Sequence, residues 1–243
     1  MDVGYEELYH QIETKHWWFK SRRKTVLSML KGIDKNASIL DIGCSSGILL
    51  SELKEIGFTN LYGVDISEKA IKNCHTNGHS NTYVANAEEI TLDTDIQFDV
   101  IISSDCLEHL EYDRKALSNW YSLLKPKGKL ILFVPAFQAL WSYHDEINHH
   151  YRRYTNNELR TKLKEAGFLI DRKGYWNFFL SIPAFVIRKI GNLVTPKKAG
   201  DLKVPKEGGI NSLLIKLLDI ENILLKSVTF PFGVSTFCIA TKD

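Results

Sequence analysis

The 243-residue chain predicts an α/β fold: a doubly wound, mostly parallel sheet with an N-terminal helical cap and a helical insertion between its last two strands. Two observations carry that prediction. Short β-rich segments alternate with helical ones from Ser38 onward, the order that builds βα units. The runs Val100-Ile101-Ile102 and Leu130-Ile131-Leu132-Phe133-Val134 are continuously apolar, as parallel strands covered on both faces are. A hydrophobic content of 44% against 25% charged residues allows one extended domain to form a core without disulfides or metal.

The first thirty residues read as helix, with Leu8 and Ile12 on one stripe and Val26, Leu27 and Leu30 on another. Between them His16-Trp17-Trp18-Phe19 offers either core packing or, beside Arg22 and Arg23, a cover for a ligand. Strands are expected over residues 38–44, 60–66, 82–87, 98–104 and 129–135. Helices are expected over 48–56, 67–74 (Ser cap), 112–124 and 155–166, the last opened by a capping box of Thr155 and Glu158. Lys125-Pro126-Lys127-Gly128 breaks the third of these helices before its strand. Residues 168–174 and 234–240 read as the final strands. The organisation expected is a cap over 1–35, a core of 36–174 with 232–243, and an insertion over 175–231.

Charge and cysteine usage narrow the setting. The net charge of +2 hides a basic tail, since residues 172–243 carry 11 Lys/Arg against 5 Asp/Glu. Cys44, Cys74, Cys106 and Cys238 show no metal-type spacing, and the first ten residues lack the apolar core of a secretory signal, so a reducing cytoplasm is expected. No stretch reaches the roughly 18 uninterrupted apolar residues of a spanning helix.

In a doubly wound sheet the first βα turn is the usual ligand contact. Here it reads Asp41-Ile42-Gly43-Cys44-Ser45-Ser46-Gly47, with glycines that let the backbone turn sharply and approach a ligand. The second strand ends at Asp65, where ribose hydroxyls are gripped. A dinucleotide fold wants G-x-G-x-x-G, and this chain has Ser45 and Ile48 at the second and third places. The spacing favours an adenosyl ligand without a pyrophosphate.

These segments, with Asn86-Ala87-Glu88, the run from Phe98 to Ser104, Leu107-Glu108-His109-Leu110 and Leu123 to Leu130, resemble the class I S-adenosylmethionine-dependent methyltransferases, which are Rossmann-like enzymes. The resemblance spans about residues 38–170. It implies that Asp41, Gly43 and Gly47 surround the methionine moiety and ribose, and that Asp65 binds the ribose hydroxyls with Ile66 on the adenine. It further implies Asn86 and Ala87 at the adenine edge and Ser104 at the methionine amino group; Trp18, Arg23 and Cys44 complete the expected cofactor set. Ser45 stands where the family often has a second glycine, and Asn86 where it often has Asp.

Methyl transfer from a sulfonium is an in-line displacement that demands alignment and exclusion of water, and no metal. A hydroxyl acceptor gains from a general base, for which His is the natural choice. His109, His144 and His149 are the candidate bases. Trp141, Tyr143, His144, Asp145, His150, Arg152, Arg153 and Tyr154 are the candidate acceptor contacts, because their run leaves a strand's carboxyl end. A metal set of His144, Asp145, His149 and His150 is set aside, as the chemistry does not need it.

The insertion opens with an apolar aromatic window over 175–187, followed by Arg188 and Lys189. A polar linker over 195–209 then leads to a stripe of Ile210, Leu213, Leu214, Leu217 and Leu218. Two helices here either pack on each other as a lid or face lipid with cations toward anionic headgroups. The His-Trp-Trp-Phe start, the Trp-Ser-Tyr-His-Asp loop and the Pro-Phe-Gly-Val-Ser end resemble bacterial class I methyltransferases of envelope glycan or lipid-carrier pathways. The loop layout is similar to that of quinone-ring methyltransferases. The expectation is S-adenosylmethionine-dependent O- or N-methylation of a small-molecule or lipid- or glycan-linked acceptor, in the cytoplasm or at the inner membrane face. Nucleic acid is not an expected partner, because the Asn/Asp-Pro-Pro-Tyr motif is absent at Ser104-Asp105-Cys106-Leu107. The alternatives are an NAD-dependent oxidoreductase, which Ser45 opposes, and a non-catalytic adenosyl-binding regulator.

Overall fold

A computed structural model describes residues 9–92, 96–194 and 209–243. Its centre is a seven-stranded sheet made of β1 (Ser38–Ile42), β2 (Asn60–Asp65), β3 (Thr82–Val84), β4 (Phe98–Ser104), β5 (Leu124–Pro135), β6 (Leu169–Trp176) and β7 (Ser235–Thr241). The spatial order is β3-β2-β1-β4-β5-β7-β6. The first five strands run parallel, with Ile39 opposite Leu61 on one side and Val100 on the other. β7 lies antiparallel between β5 and β6. The chain builds outward from β1 to β3, then returns to start β4 on the other side of β1. That reversal opens a crevice at the carboxyl ends of β1 and β4.

Every residue of β1 is buried, which is why its sequence carries no alternation. On one face of the sheet Leu40, Phe98, Leu130 and Leu132 pack with Trp120 of α4 (Asp113–Leu123) and with Leu159 and Leu163 of α6 (Asn156–Glu165). On the other, Ile39, Val100, Phe133 and Trp176 pack with Val26 of α1 (Trp17–Met29), Leu50 of α2 (Ile48–Glu55) and Ile71 of α3 (Glu68–Thr76). A short helix, α5 (Tyr143–Ile147), forms inside the segment read as a loop.

Two boundaries differ from expectation for local reasons. The N-terminal helix breaks at His16, whose extended backbone and ring cap α1 by accepting the Trp18 N–H at 3.2 Å. Leu8 lies outside the described residues. β5 starts at Leu124, not after the Lys125–Gly128 break, because Leu124 already pairs with Phe98 and a bulge restores register at Val100. Lys127 takes a positive φ of 63° there, and a side chain at Gly128 would meet the carbonyls of Lys125 and Phe98. Among the described residues no helix separates β3 from β4.

The insertion supplies α7 (Ser181–Val194) and α8 (Gly209–Leu224); the linker residues 195–208 lie outside the described residues. The apolar window divides. Tyr175 and Trp176 finish β6 as buried residues, Phe178 stacks on Phe230 at 4.8 Å, and Ile182, Phe185, Val186 and Ile187 are exposed. α8 docks on α1: Asn222 Oδ1 accepts from Thr25 and from the Trp176 indole, both at 2.8 Å, and Asn211 Oδ1 accepts the Trp17 N–H at 3.0 Å. Among the described residues no helix is long and apolar enough to cross a membrane.

The insertion is tied to the sheet by Glu221 of α8. Its fully buried carboxylate accepts the backbone N–H groups of Phe178 and Phe179 at 3.0 and 3.1 Å. Glu221→Ala leaves both amides without that acceptor and should lower the unfolding free energy by about 2–4 kcal/mol in urea titrations. An unchanged midpoint and slope would contradict the role.

Candidate active site

The crevice is shaped first by the turn after β1. Gly43 and Gly47 both adopt φ of 79°, the left-handed region that side chains avoid. A Cβ on Gly43 would lie 3.1 Å from Cys106, and one on Gly47 would lie 3.0 Å from His79. The turn is held to β2 by the N–H groups of Gly43 and Cys44, which donate to the Val64 carbonyl. Asp65 then closes it, accepting the Ser45 N–H at 3.0 Å on one oxygen and the Ser67 N–H at 2.9 Å on the other. Beside it Ile66 is 72% exposed, a large apolar side chain left in solvent at the strand end.

Asp41, Asn86, Ala87 and Ser104 belong to the same edge. Asp41 is buried. The Asn86 side chain accepts the Glu88 N–H at 2.9 Å, and the Ala87 carbonyl accepts the Trp120 indole N–H at 2.8 Å. The Ser104 hydroxyl lies 3.4 Å from Asp105.

Three nominated side chains are spent elsewhere. Cys44 is buried with its sulfur 3.9 Å from that of Cys74, so only its backbone belongs to the turn. Trp18 packs edge-on to Trp176 at 5.0 Å within the core. Arg23 donates to Glu52 at 2.8 Å and to the Glu13 carbonyl at 2.7 Å, which ties the chain before α1 to α2.

Its neighbour Arg22, not nominated from sequence, enters the crevice instead. Successive helix residues point about 100° apart, so adjacent arginines face different surroundings. The Arg22 guanidinium lies 4.3 Å from the ring centres of both Phe133 and Trp176. It donates to the Ser235 hydroxyl at 2.6 Å and lies 3.5 Å from Asp105, while its Nε and Nη1 have no partner. The chain before α1 crosses the β1 turn: Glu13 accepts from the hydroxyls of Ser45 and Ser46. Burial pushes the Tyr9 hydroxyl well up, helped by the carboxylates of Glu13, Asp105, Glu108 and Asp65 around it.

The turns after β4 and β5 form the other half. Asp105 has φ of 57° and starts the short helical turn Leu107–His109. Glu108 is buried with one oxygen unpartnered, and burial followed by Asp105 pushes its carboxyl well above the usual range. Burial and the neighbouring His150 lower His109 to about 3. Glu108, His109 and His150 each bring a polar atom within 4.8 Å of the others.

Asp145 is fully buried and accepts from His150 Nδ1 at 2.8 Å, Arg153 Nε at 2.8 Å, Arg153 Nη2 at 2.9 Å, the Ser142 N–H at 2.8 Å and the Ser142 hydroxyl at 3.4 Å. The bonds and charges of His150 and Arg153 outweigh burial and hold this carboxyl well below its ordinary value. His144, half-buried, lies 6.1 Å from His150, and Trp141 and Tyr143 are half-buried nearby in the same segment. His149 is exposed in a left-handed turn. Arg152 pairs with Asp113 of α4 at 2.9 Å and the buried Tyr154 hydroxyl donates to it at 2.9 Å, so these two anchor the segment to α4.

The strand order with its antiparallel seventh strand, and the glycine turn facing an acidic strand end at the point of reversal, are those of class I S-adenosylmethionine-dependent methyltransferases. The chain belongs to the methyltransferase domain family, whose model matches residues 14–172, and this sets aside the oxidoreductase alternative. It is 30% identical over 139 residues to the ubiquinone biosynthesis O-methyltransferase of Thiobacillus denitrificans, a match covering 51% of this chain and 57% of that protein. The chain thus spans little more than half the length of such relatives. In fold it is similar to an S-adenosylmethionine-dependent methyltransferase of Thermotoga maritima, with TM-score 0.62 and 18% identity over 99% of this chain and 96% of that one. A second such enzyme, from Archaeoglobus fulgidus, gives 0.57 and 22% over 96% and 99%.

Burial, with Asp65 nearby, pushes the Asp41 carboxyl up to about 7. Between roughly pH 4 and pH 7 the folded chain keeps a proton that the unfolded chain has released, so this group makes stability fall as pH rises through that window. Asp41→Asn removes the slope. The gap in thermal midpoint between variant and wild type should widen in the variant's favour from pH 4 to pH 7 in a fluorimetric series, and a constant gap would count against a protonated Asp41.

Proposed function

We propose that the chain transfers the methyl group of S-adenosylmethionine to a hydroxyl or amine of a small-molecule or lipid- or glycan-linked acceptor. The observation that carries this reading is the end of β2, where a fixed carboxylate, Asp65, stands beside the exposed Ile66. One suits vicinal ribose hydroxyls and the other the face of an adenine. Asn86 and Ala87 would meet the adenine edge, and Asp41, Gly43, Gly47 and Ser104 the ribose and methionine portion. The two unpartnered donors of buried Arg22 suit an α-carboxylate, and the surrounding carboxylates suit a sulfonium cation. S-adenosylmethionine, when bound, supplies an electrophilic methyl group.

The acceptor is assigned to the turns after β4 and β5, with Trp141, Tyr143, His144, Asp145, His150 and Arg153 around it. The name of the Thiobacillus relative favours a hydroxyl acceptor. Residues 1–35 and 175–231 are read as cap and insertion on a core of 36–174 with 232–243.

A membrane contact of the insertion is part of this proposal. Ile182, Phe185, Val186 and Ile187 on α7 and Ile210, Leu213, Ile220 and Ile223 on α8 are exposed, in a tail with excess Lys and Arg. Such a contact would place the enzyme at the inner face of the membrane and give it access to a lipid-linked acceptor.

Two measurements check these assignments. Asp65→Ala should weaken S-adenosylhomocysteine binding by about 1.5–3 kcal/mol; unchanged affinity in a folded variant would sink the ribose assignment. Cosedimentation with liposomes should rise with anionic lipid and fall with salt, by about 1 kcal/mol per Lys or Arg near the surface. Protein that stays in the supernatant at low salt would remove the membrane contact.

A further inference from the structure

We infer that His150, oriented by Asp145, is the general base of the site and that the acceptor atom is therefore a hydroxyl oxygen. The inference rests on the methyltransferase reading above. An amine in its neutral form attacks a sulfonium methyl without help, whereas a hydroxyl must lose its proton as the new bond forms. A built base is thus a statement about the acceptor.

Of the four histidines in the turns after β4 and β5, only His150 has the arrangement of a base. His149 is exposed. His144 lies against the Asn148 amide at 3.4 Å. His109, lowered to about 3 by burial and its histidine neighbours, is too weak a proton acceptor near neutral pH. His150 has its side chain 7% exposed and its Nδ1 2.8 Å from Asp145 Oδ1. Asp145 stays ionised because Arg153 binds both of its oxygens and the Ser142 N–H adds a third bond, so it accepts from Nδ1 and the proton of the neutral ring resides there. The lone pair is then on Nε2.

The groups facing the ring are Asp145, Arg153, His144, His109 and Glu108. Among them burial holds His109 low and the Glu108 carboxyl high, and the Arg153 charge is matched by Asp145. In the transfer step the acceptor O–H gives its proton to His150 Nε2 while the oxygen lone pair forms the O–CH3 bond. The C–S bond breaks with its electron pair going to sulfur, and the imidazolium formed is paired with Asp145 until water takes the proton.

The test uses the full chain and has two arms. The first needs no acceptor: nitrogen-15 NMR of the histidine rings should show His150, identified by its loss in His150→Gln, as the Nδ1–H tautomer with a low-field ring proton that disappears in Asp145→Asn. A ring protonated on Nε2 overturns the inference. In the second, transfer of labelled methyl to an alkylcatechol is followed. His150→Ala should lower kcat by about 10²–10⁴-fold, leave S-adenosylhomocysteine affinity within about threefold (roughly 0.7 kcal/mol) and recover part of its rate with added imidazole. Undiminished kcat in His150→Gln overturns the inference. So does wild-type turnover that EDTA abolishes and a divalent cation restores, which would make Glu108, His109 and His150 a metal site. Failure of the wild type to bind S-adenosylhomocysteine would instead count against the methyltransferase reading, and the NMR arm would still decide the tautomer.

Discussion

The constraint that shapes the candidate site is the stacking of the β1 turn on its neighbours. A side chain at Gly43 would press on Cys106 of the β4 turn, one at Gly47 on His79, and one at Gly63 in β2 would come 2.8 Å from the Cys44 sulfur. The β1 turn, β2 and the β4 turn therefore interlock with no spare volume. Their register, Ile42 opposite Val64 and Ser103, brings Asp41, Asp65 and Ser104 to one edge. The geometry of the candidate site follows from that fit.

The electrostatics of the crevice are uneven. Asp41, Asp65, Asp105, Glu108 and Glu13 crowd a region into which the buried guanidinium of Arg22 reaches. Burial, with Asp65 beside one and Asp105 beside the other, raises Asp41 and Glu108, as like charges held together do. A cationic ligand would relieve that repulsion, while Arg22 offers a complementary spot for a carboxylate. Such a pattern suits a zwitterionic amino acid joined to a sulfonium, and it has little to offer a pyrophosphate.

Much of this was legible in the sequence because it depends on local chemistry. The apolar runs of β4 and β5, the glycines at 43 and 47 and the carboxylate at 65 placed the sheet and its binding edge, and the sheet order agrees with the expected doubly wound fold. Facing was not legible. Arg22 and Arg23 are indistinguishable as neighbours, yet one enters the crevice and the other pairs with Glu52. His149 and His150 differ only in which one the left-handed turn at His149 sends toward Asp145. Nor was it legible that the Cys44 thiol packs inward, leaving its backbone to the turn. The spacing Asp145 to Arg153 was a missed signal, since a buried acid needs a cation and Arg153 stands eight residues on in the same segment.

The claim on which the account turns is that this edge receives an adenosyl ligand without a pyrophosphate. Isothermal titration of the full chain with S-adenosylhomocysteine and, separately, with NAD tests it most directly. Saturable one-to-one binding of S-adenosylhomocysteine, with no heat from NAD, is the predicted result. Binding of NAD with none of S-adenosylhomocysteine would contradict it.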